Sequence, residues 1–475
     1  MYIVISNKIK ISNYDSKFLE WVRENYVIPN PEYVTRARLN KYRWNIPQTL
    51  NIYEKENGEI LLPYGCLDDV YSYVIWHCGI DNVTFDVELN TDQVANWEGN
   101  DLTPRPHQAP AVDAMYESKF GILKAPCSSG KTIMGHILAK RVGMKTLWLT
   151  HTQSLLKQSK EVGVSMLGDD GRVGTITEGK FKPGDTITYA TVQTMVTIDP
   201  SLYKNMFNCV IVDECHRCNS KDAYTQMSYV VNNISAEYKY GLSATPVTHD
   251  GYGKTVLCNL GGVKYRIEQE ELEQNNMVMP VVIKPIVTEW KYPEEAYRAN
   301  GTVDFKDSVK YLYADEKRNK QIVELIGNRP TMILSSNIDH LLYIINQLSD
   351  EQVERACLIV TKHSNGIPEK DILCNHSAKS RELYLDMMRN GQLDIMFSTY
   401  QLAKEGLNIP RLEQVIMAFP AVEPNIVTQV IGRVARTCEG KTTAVCYDLV
   451  DKPTYFRKKF TARKKLYKEL GNKVL

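Results

Sequence analysis

Apolar positions change their spacing near residue 100. From Leu102 onward, short runs of Val, Ile and Leu recur at helix-length intervals, among them Thr146-Leu147-Trp148-Leu149, Cys209-Val210-Ile211-Val212 and Thr331-Met332-Ile333-Leu334. Unbroken apolar runs separated by helical patterns are what βα units need to bury a parallel sheet on both faces. The pattern pauses over 280–301, where Pro280, Pro285 and Pro293 punctuate the chain, and then resumes. Residues 1–100 read differently, crowded with Tyr and Trp, and the apolar run at 1–5 predicts a first strand. The expected fold class is α/β. A small α+β N-terminal domain over 1–100 precedes two α/β domains, over 101–285 and 286–475, and the segment 101–475 is expected to fold without the first. No short-period repeat and no low-complexity tract breaks this plan.

Composition narrows the reading further. A chain of 475 residues has room for two to four domains, and 43% hydrophobic with 24% charged residues is an ordinary globular composition. Lys and Arg number 57 against 56 Asp and Glu, a net charge of +1, so any polyanion site must be local rather than a property of the whole chain. Eleven scattered cysteines do not form the dense framework of a secreted disulfide protein, and a reducing compartment is expected. The initial apolar run is too short for a signal peptide, and no uncharged apolar stretch reaches the length of a membrane span. These features predict a cytoplasmic protein without a membrane partner.

Candidate chemistry begins at Ala125-Pro126-Cys127-Ser128-Ser129-Gly130-Lys131-Thr132, between the strand pattern at 120–123 and a helical pattern at 133–142. Such a strand-loop-helix turn lets backbone N–H groups surround phosphates while Lys131 reaches the β/γ oxygens and the Thr132 hydroxyl can hold Mg²⁺. Ala125 replaces the usual first glycine. Asp213-Glu214 follows the apolar run at 210–212, where a strand end would deliver Asp213 to Mg²⁺ and Glu214 to the attacking water. Together the two motifs signal nucleotide hydrolysis with ATP and Mg²⁺. Cys215-His216-Arg217-Cys218 has no second ligand pair nearby to complete a zinc site, and His216 reads better as a coupling residue beside the nucleotide.

Further motifs accumulate in a fixed order: Arg105-Pro106-His107-Gln108, the segment 150–158, Thr191-Val192-Gln193-Thr194 and Ser243-Ala244-Thr245-Pro246. In the second α/β region come Ser335, Asn375-His376-Ser377, Thr399, the segment 405–410 and Gln429-Val430-Ile431-Gly432-Arg433-Val434-Ala435-Arg436. This series resembles a superfamily 2 helicase from about 103 to about 450. Gly58 through Gly65 are similar to the hairpin and Leu-Pro-aromatic-Gly turn ahead of the motor in UvsW-type phage recombination helicases, relatives of the XPB-like branch. The resemblance implies two tandem RecA-like domains with ATP between them. It implies nucleotide contacts from Arg105, Gln108, Ser128, Ser129, Gly130, Lys131, Thr132, Gly406, Asn408 and Gln429, and arginine fingers at Arg433 and Arg436. It further implies coupling through His216, Ser243 and Thr245, and a nucleic-acid track lined by Thr152, Gln158, Thr191, Gln193, Ser335 and Thr399. Lys404 and Asn408 depart from the residues many relatives carry. The segment 247–250 replaces the Arg-Glu-Asp of XPB proteins, which argues against that unwinding element here.

Residues 1–100 hold nine basic against fourteen acidic residues, yet Arg36, Arg38, Lys41 and Arg43 cluster near Tyr33, Tyr42 and Trp44. Their near-alternation predicts one strand face, suited to phosphates and unstacked bases at a junction. After the last motif, Lys452 to Lys468 form a basic helix pattern. The expected activity is an ATP-dependent DNA helicase or translocase on single-stranded, forked and four-way-junction DNA. An RNA helicase or remodeller, and a DNA-binding ATPase that switches without unwinding, are the alternatives.

Overall fold

The computed structural model describes residues 1–169, 171–217, 221–246, 251–360, 370–374, 377–404, 407–419 and 424–475. They form two compact units, one of residues 1–126 with 130–267, the other of 127–129 with 268–475.

The first unit starts with a five-stranded sheet in the order Glu54–Glu56, Glu59–Pro63, Lys8–Ser12, Tyr2–Ile5, Thr84–Val87. Strict alternation puts Ile3, Ile5, Ile9 and Ile11 on one buried face. Helix Ser16–Tyr26 covers that face with Phe18, Val22 and Tyr26, spaced four apart, and begins where the Asp15 carboxylate accepts from the Phe18 N–H at 2.8 Å. Asn57 and Gly58, both at positive φ, close the expected hairpin.

This sheet is not free of the next one. Phe120 and Cys258, from the α/β part, belong to the same apolar cluster as the N-terminal strands. The Tyr64 ring meets Phe120 at 5.3 Å, and a Cβ on Gly65 would collide with the backbone of Gly261, Cys258 and Leu257. Lys239, fully buried, donates to the Asn7 and Val231 carbonyls at 3.3 Å and lies 4.6 Å from the Tyr64 ring. Removing 1–100 would uncover Phe120, Cys258 and Lys239 at this joint.

The α/β sheet of the first unit has eight strands, in the order Lys180–Lys182, Val173–Thr177, Ile187–Thr191, Thr146–Thr150, Cys209–Asp213, Tyr238–Ser243, Phe120–Lys124, Val263–Arg266. All pairs are parallel except the first. Register places Thr191 beside Thr150, Asp213 beside Leu242 and Ser243 beside Lys124, so the motif residues gather at one carboxyl edge. Open parallel sheets bind ligands there, where helices begin and backbone N–H groups point outward.

The second unit repeats the plan with an eight-stranded sheet ordered Leu373–Cys374, Ala356–Ile359, Ile395–Thr399, Thr331–Ser335, Gln414–Met417, Val445–Val450, Val282–Val287, Lys473–Val474. Strand Val282–Val287 pairs with Val445–Val450 and spans the expected 285/286 boundary, so the second sheet gains its strand earlier than composition suggested; Pro285 is accommodated within that strand. The basic helix forms over Thr454–Glu469, but Arg463 is not part of a solvated stripe. It is 4% exposed and grips Asp448 with two bonds of 2.9 and 2.7 Å, while the Tyr467 hydroxyl donates to the same carboxylate at 2.7 Å. The chain is thus two tandem RecA-like domains preceded by a small α+β region.

Candidate nucleotide and nucleic-acid site

The phosphate loop leaves strand Phe120–Lys124 and enters helix Lys131–Val142 through Gly130, whose φ of 84° and lack of side chain are both needed. A Cβ there would overlap the Gln108 amide. Gln108 is 2% exposed and its side-chain carbonyl accepts from the Arg105 N–H at 3.0 Å, and its amide sets the segment 105–108 beside Gly130 of the loop. Lys131 folds over the loop, its ammonium 3.1 Å from the Ala125 carbonyl and 3.0 Å from that of Pro126. Thr132 occupies the second position of the helix. Ser128 takes a positive φ of 69°, and Ser129 is buried.

Asp213 ends its strand with 4% exposure. Its carboxylate accepts from the Glu214 N–H at 2.9 Å and from the Ser159 hydroxyl at 3.5 Å. Glu214 sits at φ 50°, a left-handed conformation that costs a residue with a Cβ about 1–2 kcal/mol and is found at positions where a side chain must be aimed. It is aimed at His216, whose Nδ1 lies 3.2 Å from the Glu214 carboxylate and 2.9 Å from the Ser243 hydroxyl. The Thr245 N–H donates to that same hydroxyl at 3.0 Å. The three residues expected to couple the site therefore form one chain of contacts from Glu214 to Thr245.

Donor chemistry fits a magnesium nucleotide. An ammonium and a helix N-terminus face the loop, and a carboxylate ends strand Cys209–Asp213, one strand removed in the same sheet. Mg²⁺ commonly takes one or two protein oxygens and completes its shell with water and phosphate, so a dedicated protein cage is not required.

On the same edge, Thr152 caps helix Gln153–Leu167 by accepting from the Leu155 N–H at 3.3 Å, and Gln158 is exposed on that helix. Thr191 is 4% exposed and donates to the Thr194 hydroxyl at 3.0 Å, whereas Gln193 is exposed and donates to the His151 carbonyl at 3.1 Å. Gln193 thus ties together the two segments expected to line the track.

In the second unit, helix Pro424–Val434 carries Gln429 and Arg433, and Arg436 follows it and donates to the Asn408 side chain. The Ser128 hydroxyl, grouped with this unit, donates to the Gly432 carbonyl at 2.9 Å and accepts from Arg436 Nε at 3.3 Å. Burial and the adjacent Arg433 guanidinium depress the Arg436 pKa. Thr399 ends its strand and accepts from the Leu402 N–H at 3.4 Å. Gly406, Lys404's side chain, residues 247–250, Asn375, His376 and Cys218 lie outside the described residues.

Two expectations fail. Ser335 has no exposed surface; its hydroxyl is taken up by His340 Nδ1 at 2.9 Å and the Asn337 N–H at 3.3 Å, so it does not face a track. The basic cluster is not a strand. Residues 31–38 form a helix, started by Pro31 in its first turn and by Asn30, whose side chain accepts from the Glu32 N–H at 3.0 Å. Arg36 pairs with Glu32 at 2.8 Å, one turn back, and Arg43 stacks 5.3 Å from the Tyr33 ring. Arg38 and Lys41 sit at the helix end and in the loop beyond it. That loop leaves Leu39 at 58%, Tyr42 at 75% and Trp44 at 81% exposure, a basic surface with aromatic rings open to solvent.

Residues 101–248 match the type III restriction enzyme res subunit family and residues 317–438 the helicase conserved C-terminal domain. Tandem RecA-like domains carrying these two families in this order are the architecture of a superfamily 2 helicase, and the chain is placed there. Among particular proteins, it is 23% identical to the ATP-dependent DNA helicase uvsW of Enterobacteria phage T4 over 445 residues, 85% of this chain and 82% of that one. It is 22% identical to the DNA 3'-5' helicase XPB of Kineococcus radiotolerans, covering 74% of this chain and 60% of the relative. The structure of S. cerevisiae Dbp5 bound to RNA and ADP BeF3 shares the fold, with a TM-score of 0.53, 13% identity, and coverage of 78% of this chain and 90% of that one. Among the described residues no helix is long and apolar enough to cross a membrane.

Proposed function

We propose that the chain is an ATP-dependent DNA helicase or translocase that unwinds or branch-migrates forked and four-way-junction DNA during phage recombination, repair or replication. Bound ATP with Mg²⁺ supplies the phosphoanhydride whose hydrolysis drives the cycle. Lys131 holds its β/γ oxygens, Thr132 and Asp213 hold the metal, Glu214 orients and deprotonates the attacking water, and Arg433 and Arg436 stabilise charge that develops in the transition state. Arg105, Gln108, Ser128, Ser129, Gly130, Gly406, Asn408 and Gln429 bind the nucleotide. His216 passes the state of Glu214 to Ser243 and Thr245. Thr152, Gln158, Thr191, Gln193 and Thr399 contact the strand backbone with hydroxyls and amides, which position a strand without reading its sequence. Ser335, which has no exposed surface, is withdrawn from this set; Thr191, 4% exposed, stays in it as the residue that starts the turn carrying the exposed Gln193.

The observation that carries the substrate reading is the loop after residue 38. Exposed Tyr42 and Trp44 stand among Arg36, Arg38, Lys41 and Arg43, in a part of the chain that precedes both matched domains. Rings offer a face to unstacked bases and cations offer charge to phosphates, which suits the branch point of a fork better than uniform duplex. Neutralising the four cations together is expected to weaken junction binding and flatten its salt dependence, by up to about 0.9 in log–log slope for each lost phosphate contact. Single-strand-stimulated ATPase is expected to change little. Binding isotherms for a four-way junction across a salt series measure this, and an unchanged slope would remove the loop from the substrate site.

A further inference from the structure

Behind the phosphate loop lies a polar group of side chains that none of the motifs includes. His136 is one helical turn beyond Thr132, and it is fully buried. Its Nδ1 lies 2.7 Å from the Thr132 carbonyl, which can only accept, so Nδ1 carries the proton. Nε2 is then an acceptor, and the Tyr189 hydroxyl, 2.6 Å away, donates to it. Burial lowers the His136 pKa to about 4, outweighing hydrogen bonds to the Thr132 and Ser159 backbone that raise it, which agrees with a neutral ring.

Each end of this pair touches a different part of the motor. Tyr189 belongs to strand Ile187–Thr191, which leads directly into Thr191 and Gln193. Its hydroxyl also occupies the space beside Gly163 on helix Gln153–Leu167, where a Cβ would overlap it. One turn earlier on that helix, Ser159 donates to the Asp213 carboxylate at 3.5 Å. The His136 ring stacks on Trp148 at 4.3 Å, in the strand that runs into Thr152. A Phe–Phe pair would fill similar space without the desolvation cost of two polar groups, which is offset only while both hydrogen bonds are made.

We propose that His136 and Tyr189 are positioning residues: a buried bridge that makes the placement of the phosphate-loop helix depend on the placement of the two segments carrying Thr152, Gln158, Thr191 and Gln193, and so couples nucleic-acid binding to ATP hydrolysis. The inference rests on the proposed motor function. Nucleic acid that shifts the helix starting at Thr152 or the turn after Thr191 moves Tyr189, and the hydrogen bond carries that shift to the turn of helix holding Lys131 and Thr132.

Tyr189→Phe removes one hydroxyl and leaves the ring. Hydrolysis is measured with and without a dT oligonucleotide, alongside the thermal midpoint. The variant is expected to keep basal kcat and the KM for ATP within about twofold of the parent, while stimulation by the oligonucleotide falls by about fivefold or more, the lower end of typical coupling between sites. Parent-like stimulation, with or without a lower midpoint, would overturn the proposal and leave the pair as core packing. If Tyr189→Phe does not fold, His136→Gln and His136→Leu are compared. Gln retains an acceptor for the Tyr189 hydroxyl and is expected to keep most of the stimulation that Leu loses, and equal ratios in the two would overturn the bridge. A parent chain that no nucleic acid stimulates would overturn the motor function itself, and the bridge with it.

Discussion

Glu214 is held in a left-handed backbone conformation with its carboxylate against His216, whose ring reaches the Ser243–Thr245 turn; in the proposed motor this contact would link hydrolysis to that turn. If Glu214 activates water, Glu214→Gln lowers kcat by about 10²–10⁴-fold, the range for loss of a general base, while nucleotide binding persists. Lys131→Ala is expected to lose both hydrolysis and nucleotide affinity, because its ammonium is a ground-state phosphate contact as well. Nucleotide titrations that report kcat and affinity separate the two. The phosphate loop and the Asp213 edge were legible in sequence because each joins a residue type to a local pattern: a glycine where no Cβ fits, and two carboxylates directly after an unbroken apolar run. Ser335 came from the resemblance alone, and its burial depends on His340, five residues on, which turns back to its hydroxyl, a contact that spacing alone does not reveal.

At the scale of elements, the apolar runs at 146–149, 209–212 and 331–334 all became central parallel strands, because continuous burial on both faces leaves few alternatives. The segment 31–38 became a helix rather than a strand. The Asn30-Pro31 pair, which caps and starts a helix, outweighs the near-alternation of the segment's cations. The joint between the N-terminal and α/β sheets was also hidden, since Gly65 and Lys239 lie far apart in the chain and only packing unites them. Burial of Lys239 lowers its pKa from 10.5 to about 7. The unfolded chain therefore binds the extra proton between those values, and the penalty for burying the ammonium is full below about pH 7 and relieved as pH rises. Lys239→Met is expected to be more stable than the parent near neutrality, and to show a flatter rise in thermal midpoint from about pH 6.5 to 8.5, below the range where tyrosines ionise. Parallel midpoint profiles would mean that the Asn7 and Val231 carbonyls and the Tyr64 ring keep the ammonium charged.

For the molecule as a whole, a net charge of +1 leaves no general attraction for nucleic acid, so binding must come from local surfaces. The matched domains cover the two RecA-like motors, and the N-terminal sheet is fastened to the first of them through a shared core. A recognition surface mounted rigidly on one motor unit can be carried by it along a strand, which is the arrangement a fork-acting motor needs. The central claim, that this chain turns ATP hydrolysis into work on branched DNA, is tested most directly by one measurement. Hydrolysis and strand displacement are followed together for the parent and for Lys131→Ala, with single-stranded, forked and four-way-junction DNA and a matched RNA. The account predicts that the parent hydrolyses ATP faster with DNA than without it, separates forked and junction strands only when ATP is present, and acts less on RNA, while Lys131→Ala does neither. Hydrolysis that no nucleic acid raises, or displacement that survives Lys131→Ala, would contradict it.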